Sequence, residues 1–224
     1  MDCKPRCNFC WLCSIFCIFF AIVSIIVLSI IISWLALRPS NVKFYITNAT
    51  LTQFNLTTNN TLYYNLKLNI TVRNPNKHIT VHYKGITAIA WYKDNEIARI
   101  SLTPFDQGHK NTTFLEADFE GQSVVDLKAK QLGEYKQETS VGIYNDLAVD
   151  LDLRIKAKFG FMGKSSSFNP PTVQCRRLRV SMISNGISSP PFSVTKCITD
   201  SFFSDRDAPV QQNEPPFLPP ADKR

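Results

Sequence analysis

The stretch Leu62-Tyr63-Tyr64-Asn65-Leu66-Lys67-Leu68-Asn69-Ile70-Thr71-Val72-Arg73 decides the fold. Leu62, Tyr64, Leu66, Leu68, Ile70 and Val72 alternate with Tyr63, Asn65, Lys67, Asn69, Thr71 and Arg73, a two-residue period held for twelve positions. Successive side chains of a strand point to opposite faces, so the segment reads as a half-buried strand with Asn69 on its polar side. It stops at Asn74-Pro75-Asn76, because proline has no N–H to give to a ladder.

The same period recurs downstream. Ile79, Val81 and Tyr83 read as one strand and residues 86–92 as another, closed by a turn at Asp94-Asn95 and returned by residues 97–102. Thr113, Leu115, Ala117 and Phe119 alternate up to Gly121. Leu147, Val149, Leu151, Leu153, Ile155, Ala157 and Phe159 form a second long alternation, whose outer face carries Asp150 and Asp152, then Arg154, Lys156 and Lys158. Residues 173–182 and 191–198 are further strands, and residues 123–139 form either a short helix or a long loop. Seven or eight strands with polar turns and no strand–helix–strand pattern predict an all-β protein, an antiparallel β-sandwich.

Upstream the period disappears. Residues 11–37 contain no charge, and a helix of that length spans about 40 Å against about 30 Å of hydrocarbon. A cleaved signal peptide has a shorter apolar stretch and a small-residue cleavage site, whereas this one ends in Trp34-Leu35-Ala36-Leu37-Arg38, so a retained anchor is expected. The expected order is a cytosolic stub (1–10), a single transmembrane helix (11–37), a linker (38–43), the sandwich (44–200) and a disordered, Pro-rich tail (201–224) that lacks a GPI-anchoring signal.

Charge does not orient the span, since Lys4 and Arg6 precede it while Arg38 and Lys43 follow it. Glycosylation sequons do. Asn48, Asn55, Asn59, Asn69 and Asn111 all begin Asn-x-Thr triplets, and all follow the span. Cysteines agree. Cys3, Cys7, Cys10, Cys13 and Cys17 lie before or just inside the span, while the large domain holds only Cys175 and Cys197. One pair in an oxidising compartment, with unpaired thiols at a reducing membrane face, predicts a cytosolic N-terminus and a Cys175–Cys197 disulfide.

Few residues point to chemistry. His78 and His82 would share a strand face about 13 Å apart, too far for one metal, and His109 stands alone. No phosphate loop, nucleophile elbow or zincin motif occurs, and no enzyme, cofactor or metal site is expected. Cys3, Cys7, Cys10, Cys13 and Cys17 are spaced by three or four and fall on one helical stripe. Reversible S-acylation is the preferred reading, with inert thiols and a zinc site as alternatives; the zinc site would bury charge in the apolar span. The chain carries 25 Lys+Arg against 18 Asp+Glu. Arg154, Lys156, Lys158, Lys164, Arg176, Arg177 and Arg179 lie in one segment free of acid after Asp152. They are either a solvated sheet face or a polyanion-binding face for acidic wall polysaccharide or anionic lipid. Nucleic acid is not an expected partner, being on the other side of the membrane.

The segments FYITNATLTQFNLTTNNTLYYNL (44–66), LNITVRNPNKHITVHY (68–83) and SLTPFDQGHKNTTFLEADFEGQ (101–122) resemble the plant NDR/HIN-like (NHL) family, within the group-2 late-embryogenesis-abundant (LEA-2) proteins. The resemblance extends over roughly residues 10–200, through the Asn-Pro-Asn turn and the Cys175/Cys197 pair. It implies a short cytosolic tail, one membrane helix and a sandwich related in shape to fibronectin type III. It also implies a place in the plasma membrane, or in plasmodesmata, and a role in pathogen defence and stress. The family has no known catalytic residues, so none carries over. Here the tail after Cys197 is longer than usual, and no Asn-Gly-Asp adhesion triplet occurs. The expectation is a membrane-anchored binding or adhesion protein with membrane, cell-wall or self partners. The alternatives are a lipid or small-ligand carrier and a membrane-protective module.

Overall fold

A computed structural model describes residues 7–37, 39–160, 163, 165–183 and 191–206. Cys3, Lys164 and the tail from 207 onward, each named in an expectation above, lie outside the described residues. The chain divides into an N-terminal unit, Met1–Ser40, and a domain, Asn41–Arg224.

In the first unit, α1 (Cys7–Leu37) begins ahead of the expected boundary at residue 11, because nothing from Cys7 to Cys10 breaks a helix. Its segment Ser14–Ile32 is long and apolar enough to cross a membrane. Phe16, Phe20, Ile25 and Ile30 are exposed on different sides of it, and a helix apolar all round suits apolar surroundings. Ser29 Oγ donates to Ile26 O at 2.7 Å, so this hydroxyl is satisfied within the helix.

The domain contains β1 (Lys43–Leu56), β2 (Thr61–Arg73), β3 (Ile79–Tyr92), β4 (Asn95–Leu102), β5 (Phe105–Gln107), β6 (Thr112–Val124), α2 (Ala129–Val141), β7 (Ile143–Phe159), β8 (Ser165–Phe168), β9 (Val173–Ser181) and β10 (Thr195–Lys196). One sheet runs β10-β1-β2-β6; the other runs β4-β3-β7-β8, with β5 on β3 and β9 on β7. Every pair of these strands is antiparallel. The all-β, antiparallel fold class is the expected one. The inner faces share one core, in which Phe44, Leu66 and Ile70 of the first sheet meet Tyr83, Leu151 and Leu153 of the second.

Several local readings need correction. Residues 79–92 are one strand, not two; Lys84 is an extra residue between the pairs Tyr83–Ile155 and Gly85–Arg154, and this bulge interrupts the alternation. The β3–β4 turn is centred on Lys93-Asp94 rather than Asp94-Asn95, with φ of 46° and 66°, the left-handed pair that suits the twist of a two-residue hairpin. α2 occupies the ambiguous segment. Lys128 N–H donates to Gln131 Oε1 at 2.9 Å at its start, and Gly142 closes it at φ 71°, its N–H on Glu138 O at 2.8 Å. The core also runs past the expected boundary at residue 200. Phe202 is fully buried, with ring centroids 5.9 Å from Phe44 and 6.4 Å from Tyr83.

Cys175 on β9 and Cys197 after β10 form the expected disulfide, with Cα atoms 4.3 Å apart. It joins the second sheet to the first, beside paired hydrogen bonds between Gln174 and Ile198 of 2.8 and 3.1 Å. At a sequence separation of 22, closing the loop removes about 3 kcal/mol of unfolded-chain freedom. Replacing both cysteines by serine should lower stability by about that amount, seen as an earlier thermal transition by circular dichroism. An unchanged transition would mean that the two residues serve only as small buried groups.

Candidate functional site

Three features of the domain bear on function: a buried polar corner, a cationic strand face and an ion cluster under α2. The corner forms where the chain crosses from β2 to β3. Asn74 is fully buried; its Nδ2 donates to Ile79 O at 2.8 Å and Gly108 O at 2.9 Å, and its Oδ1 accepts from Asn76 N–H at 3.1 Å and Asn76 Nδ2 at 3.0 Å. Gln107, also fully buried, donates through Nε2 to Val72 O at 2.8 Å and accepts from Tyr83 Oη at 3.4 Å. Asn-Pro-Asn was legible only as a strand stop. That its amides bind groups far along the chain has no local signature. This corner is structural: its polar atoms bond to backbone inside the domain rather than facing a ligand.

The seven basic residues do not form one patch. Leu153, Ile155 and Ala157 point into the core, so Arg154, Lys156 and Lys158 stand together on the outer face of β7. Arg176, Arg177 and Arg179 belong to β9, beside the other half of β7. Arg176 Nη2 is 3.3 Å from Asp150 Oδ2. Arg177 and Arg179 line a surface cleft of about 460 Å³ with Glu134, Glu138 and Asp146. The expected acid-free segment is thus divided by acids from elsewhere in the chain.

The five sequon asparagines are all exposed. Asn48 and Asn55 lie on β1, Asn69 on β2, Asn59 between them, and Asn111 just before β6. Asn48 and Asn69 are register partners. On α1, Cys7, Cys10 and Cys13 share one helix with Cys17, whose thiol is free and exposed. The histidines are separate, and no group of three metal-ligating side chains occurs among the described residues. His78 precedes β3 instead of lying on it. His82 Nδ1 is 2.7 Å from Asp106 Oδ1, and His109 Nε2 is 3.3 Å from Thr80 Oγ1.

Comparison with known proteins places these features. Residues 69–175 match the family model described as Late embryogenesis abundant protein, LEA_2. The chain is 38% identical over 183 residues to NDR1/HIN1-like protein 10 of Arabidopsis thaliana, covering 80% of this chain and 79% of that protein. It is 37% identical over 201 residues to NDR1/HIN1-like protein 3 of the same plant, covering 89% and 85%. The chain belongs to the NDR1/HIN1-like, LEA-2 family. A crystal structure of a protein from Archaeoglobus fulgidus aligns with 66% of this chain and 99% of that chain at 13% identity, with a TM-score of 0.28.

The LEA_2 match takes in the polar corner and the cationic face of β7, together with α2. α2 is pinned by Lys93, whose side chain is 3% exposed. Lys93 Nζ donates to Glu134 Oε2 at 2.9 Å and lies 3.6 Å from Glu138 Oε2, which also accepts from Tyr92 Oη at 2.7 Å. Burial first, and then Glu138, push the Tyr92 hydroxyl well above the usual phenol range. Tyr135 Oη accepts from Leu56 N–H at 2.8 Å, and Tyr144 Oη donates to Phe54 O at 3.3 Å. The cluster therefore ties helix, hairpin and β1 together.

Asp150 generates a pH dependence. It is buried on β7, with the Arg176 guanidinium and the Trp91 indole beside its carboxylate. Burial raises its pKa above 3.8; Arg176 opposes this without cancelling it. The folded state therefore holds a proton that the unfolded chain has already lost, and stability from this group falls as pH rises from 3.8 through the folded value. Asp150→Asn carries no charge to bury. Melting temperatures compared between about pH 3 and 7 should show the variant gaining on the parent as pH rises, then holding a constant lead. A variant that loses ground at neutral pH would make the Arg176 ion pair the dominant effect.

Proposed function

We infer that the chain is a membrane-anchored, non-enzymatic protein of plant defence and stress response, whose sandwich lies outside the cytosol and acts by binding or adhesion. The observation that carries this reading is the exposure of all five sequon asparagines on a disulfide-bonded domain that follows an apolar helix. The reading includes a plasma-membrane location, with plasmodesmata as a second site, which family membership supports. The protein works through lateral partners, wall contact or copies of itself. The carrier reading is less favoured. The core between the sheets is filled by Phe44, Phe54, Tyr83, Phe119 and Phe202, and the described clefts of about 410–570 Å³ open onto the surface among charged and polar residues.

Endoglycosidase treatment of membranes from the plant should increase gel mobility, and Asn→Gln replacement at Asn48, Asn55, Asn59, Asn69 and Asn111 should abolish that shift. Protease added to intact protoplasts should remove the domain. A protected domain with unglycosylated sequons would place it in the cytosol and sink the reading.

With this orientation the cysteine stripe of α1 meets the cytosolic leaflet, where thioester-linked acyl chains would add to the anchor. Acyl exchange with hydroxylamine should label the parent protein and fade through a Cys→Ser series at Cys3, Cys7, Cys10, Cys13 and Cys17. No labelling of the parent would leave them as plain thiols.

A further inference from the structure

We propose that the outer face of β7, with β3 and β8 on either side, is a docking surface for a linear polyuronate, an acidic polysaccharide whose carboxylates run along the strand. The proposal rests on the reading that the domain lies outside the cytosol, and names its partner class. Arg154, Lys156 and Lys158 recur at every second residue, about 6.8 Å apart along one face. All three are exposed. None has an acidic partner among the described residues, although four acids of this sheet are matched. Asp152 lies 2.7 Å from Arg206, Asp150 3.3 Å from Arg176, Asp106 2.7 Å from His82 and Glu96 2.9 Å from Arg99. Three uncompensated cations in a row thus remain for an external anion.

Their neighbours suit a sugar. Ser165 and Thr80 are the register partners of Lys158 on β8 and β3, and Ser167 is the partner of Lys156. Directly paired residues share a face, so hydroxyls flank Lys158 on both sides and Lys156 on its β8 side, with His82 its partner on β3. Gly85 is the partner of Arg154. A Cβ there would stand 3.1 Å from Arg154 Nε and 3.3 Å from Nη2, so the missing side chain lets the guanidinium lie across β3. A guanidinium so held presents a planar fork to a carboxylate.

Two observations favour a hydrophilic polymer over a membrane surface. None of the exposed large apolar side chains among the described residues belongs to β3, β7 or β8, so the face has nothing to insert between acyl chains. And no sequon falls on these three strands; Asn48, Asn55, Asn59 and Asn69 lie on or between β1 and β2 of the other sheet, and Asn111 just before β6. Each contact is weak, and affinity comes from repetition along the polymer.

The test uses the full chain in nanodiscs of neutral phosphatidylcholine, with immobilised, unesterified oligogalacturonate as the probe. The parent should bind, more weakly as salt rises, and the fully methyl-esterified polymer should not. R154Q/K156Q/K158Q should lose about ten-fold in affinity, with K156Q alone losing less. The charge-matched K43Q/K67Q/K196Q should stay within about two-fold of the parent. Melting curves check that each variant folds. Unchanged binding by the triple variant overturns the proposal. So does an equal loss in the matched control, which would make net charge the cause, or equal binding of the methyl ester. So does tighter binding to vesicles containing phosphatidylserine, which would assign the face to lipid. An external domain that fails to bind removes this proposal alone; a cytosolic domain removes the reading beneath it.

Discussion

Two buried amides, Asn74 and Gln107, hold the point at which the chain crosses from one sheet to the other, and the allocation of strands follows from that crossing. Their hydrogen bonds reach Ile79, Gly108 and Val72 across turns that would otherwise leave backbone carbonyls buried and unpaired. Losing one partner of such a set costs about 1–3 kcal/mol, so a single arrangement is strongly preferred. With the crossing set, β1 and β2 share a sheet and, with the turn between them, carry four of the five sequons, while β3 and β7 share the other, whose β7 carries the cationic row. The two outer surfaces differ because one polar corner separates them.

Closure at the side is a second, independent problem. β1 would be an open edge, but β10 pairs with it, and Leu51 bridges Met182 beyond β9. The disulfide and Phe202 then close the core from the C-terminal side. On the opposite sides β4 and β6 remain terminal strands. Their outward charges, Glu96 and Arg99 on one and Glu116, Asp118 and Glu120 on the other, discourage strand addition by another chain.

β2 and β7 were readable from sequence because their apolar residues hold one parity across nearly the whole strand. β1 was not read as a strand from its pattern, since Thr47 and Thr52 are extra residues at bulges and shift its parity twice. Lys84 does the same to β3, and Arg177, at φ 56°, to β9. Phe202 gave no periodic signal at all, being fixed only by tertiary contact with Phe44 and Tyr83. The cationic row on β7 was legible because it obeys the same alternation as the core residues between its members. Its separation from Arg176, Arg177 and Arg179 was not, because it depends on Asp150, Asp146, Glu134 and Glu138, which only folding brings to β9.

That shared alternation also couples the fold to the outer surface in one direction only. Sliding β7 by one residue would bury Arg154, Lys156 and Lys158 and expose Leu153, Ile155 and Ala157. The register that builds the core therefore aligns the cations without any contact devoted to aligning them. The reverse dependence is weak. The three side chains are exposed and unpaired, so changing them removes little that holds the sheets together. Asp150, on the same face but buried against Arg176, is bound into the fold, and altering it changes stability. Along a single strand, then, burial separates residues that can tune recognition from those that maintain the structure presenting it.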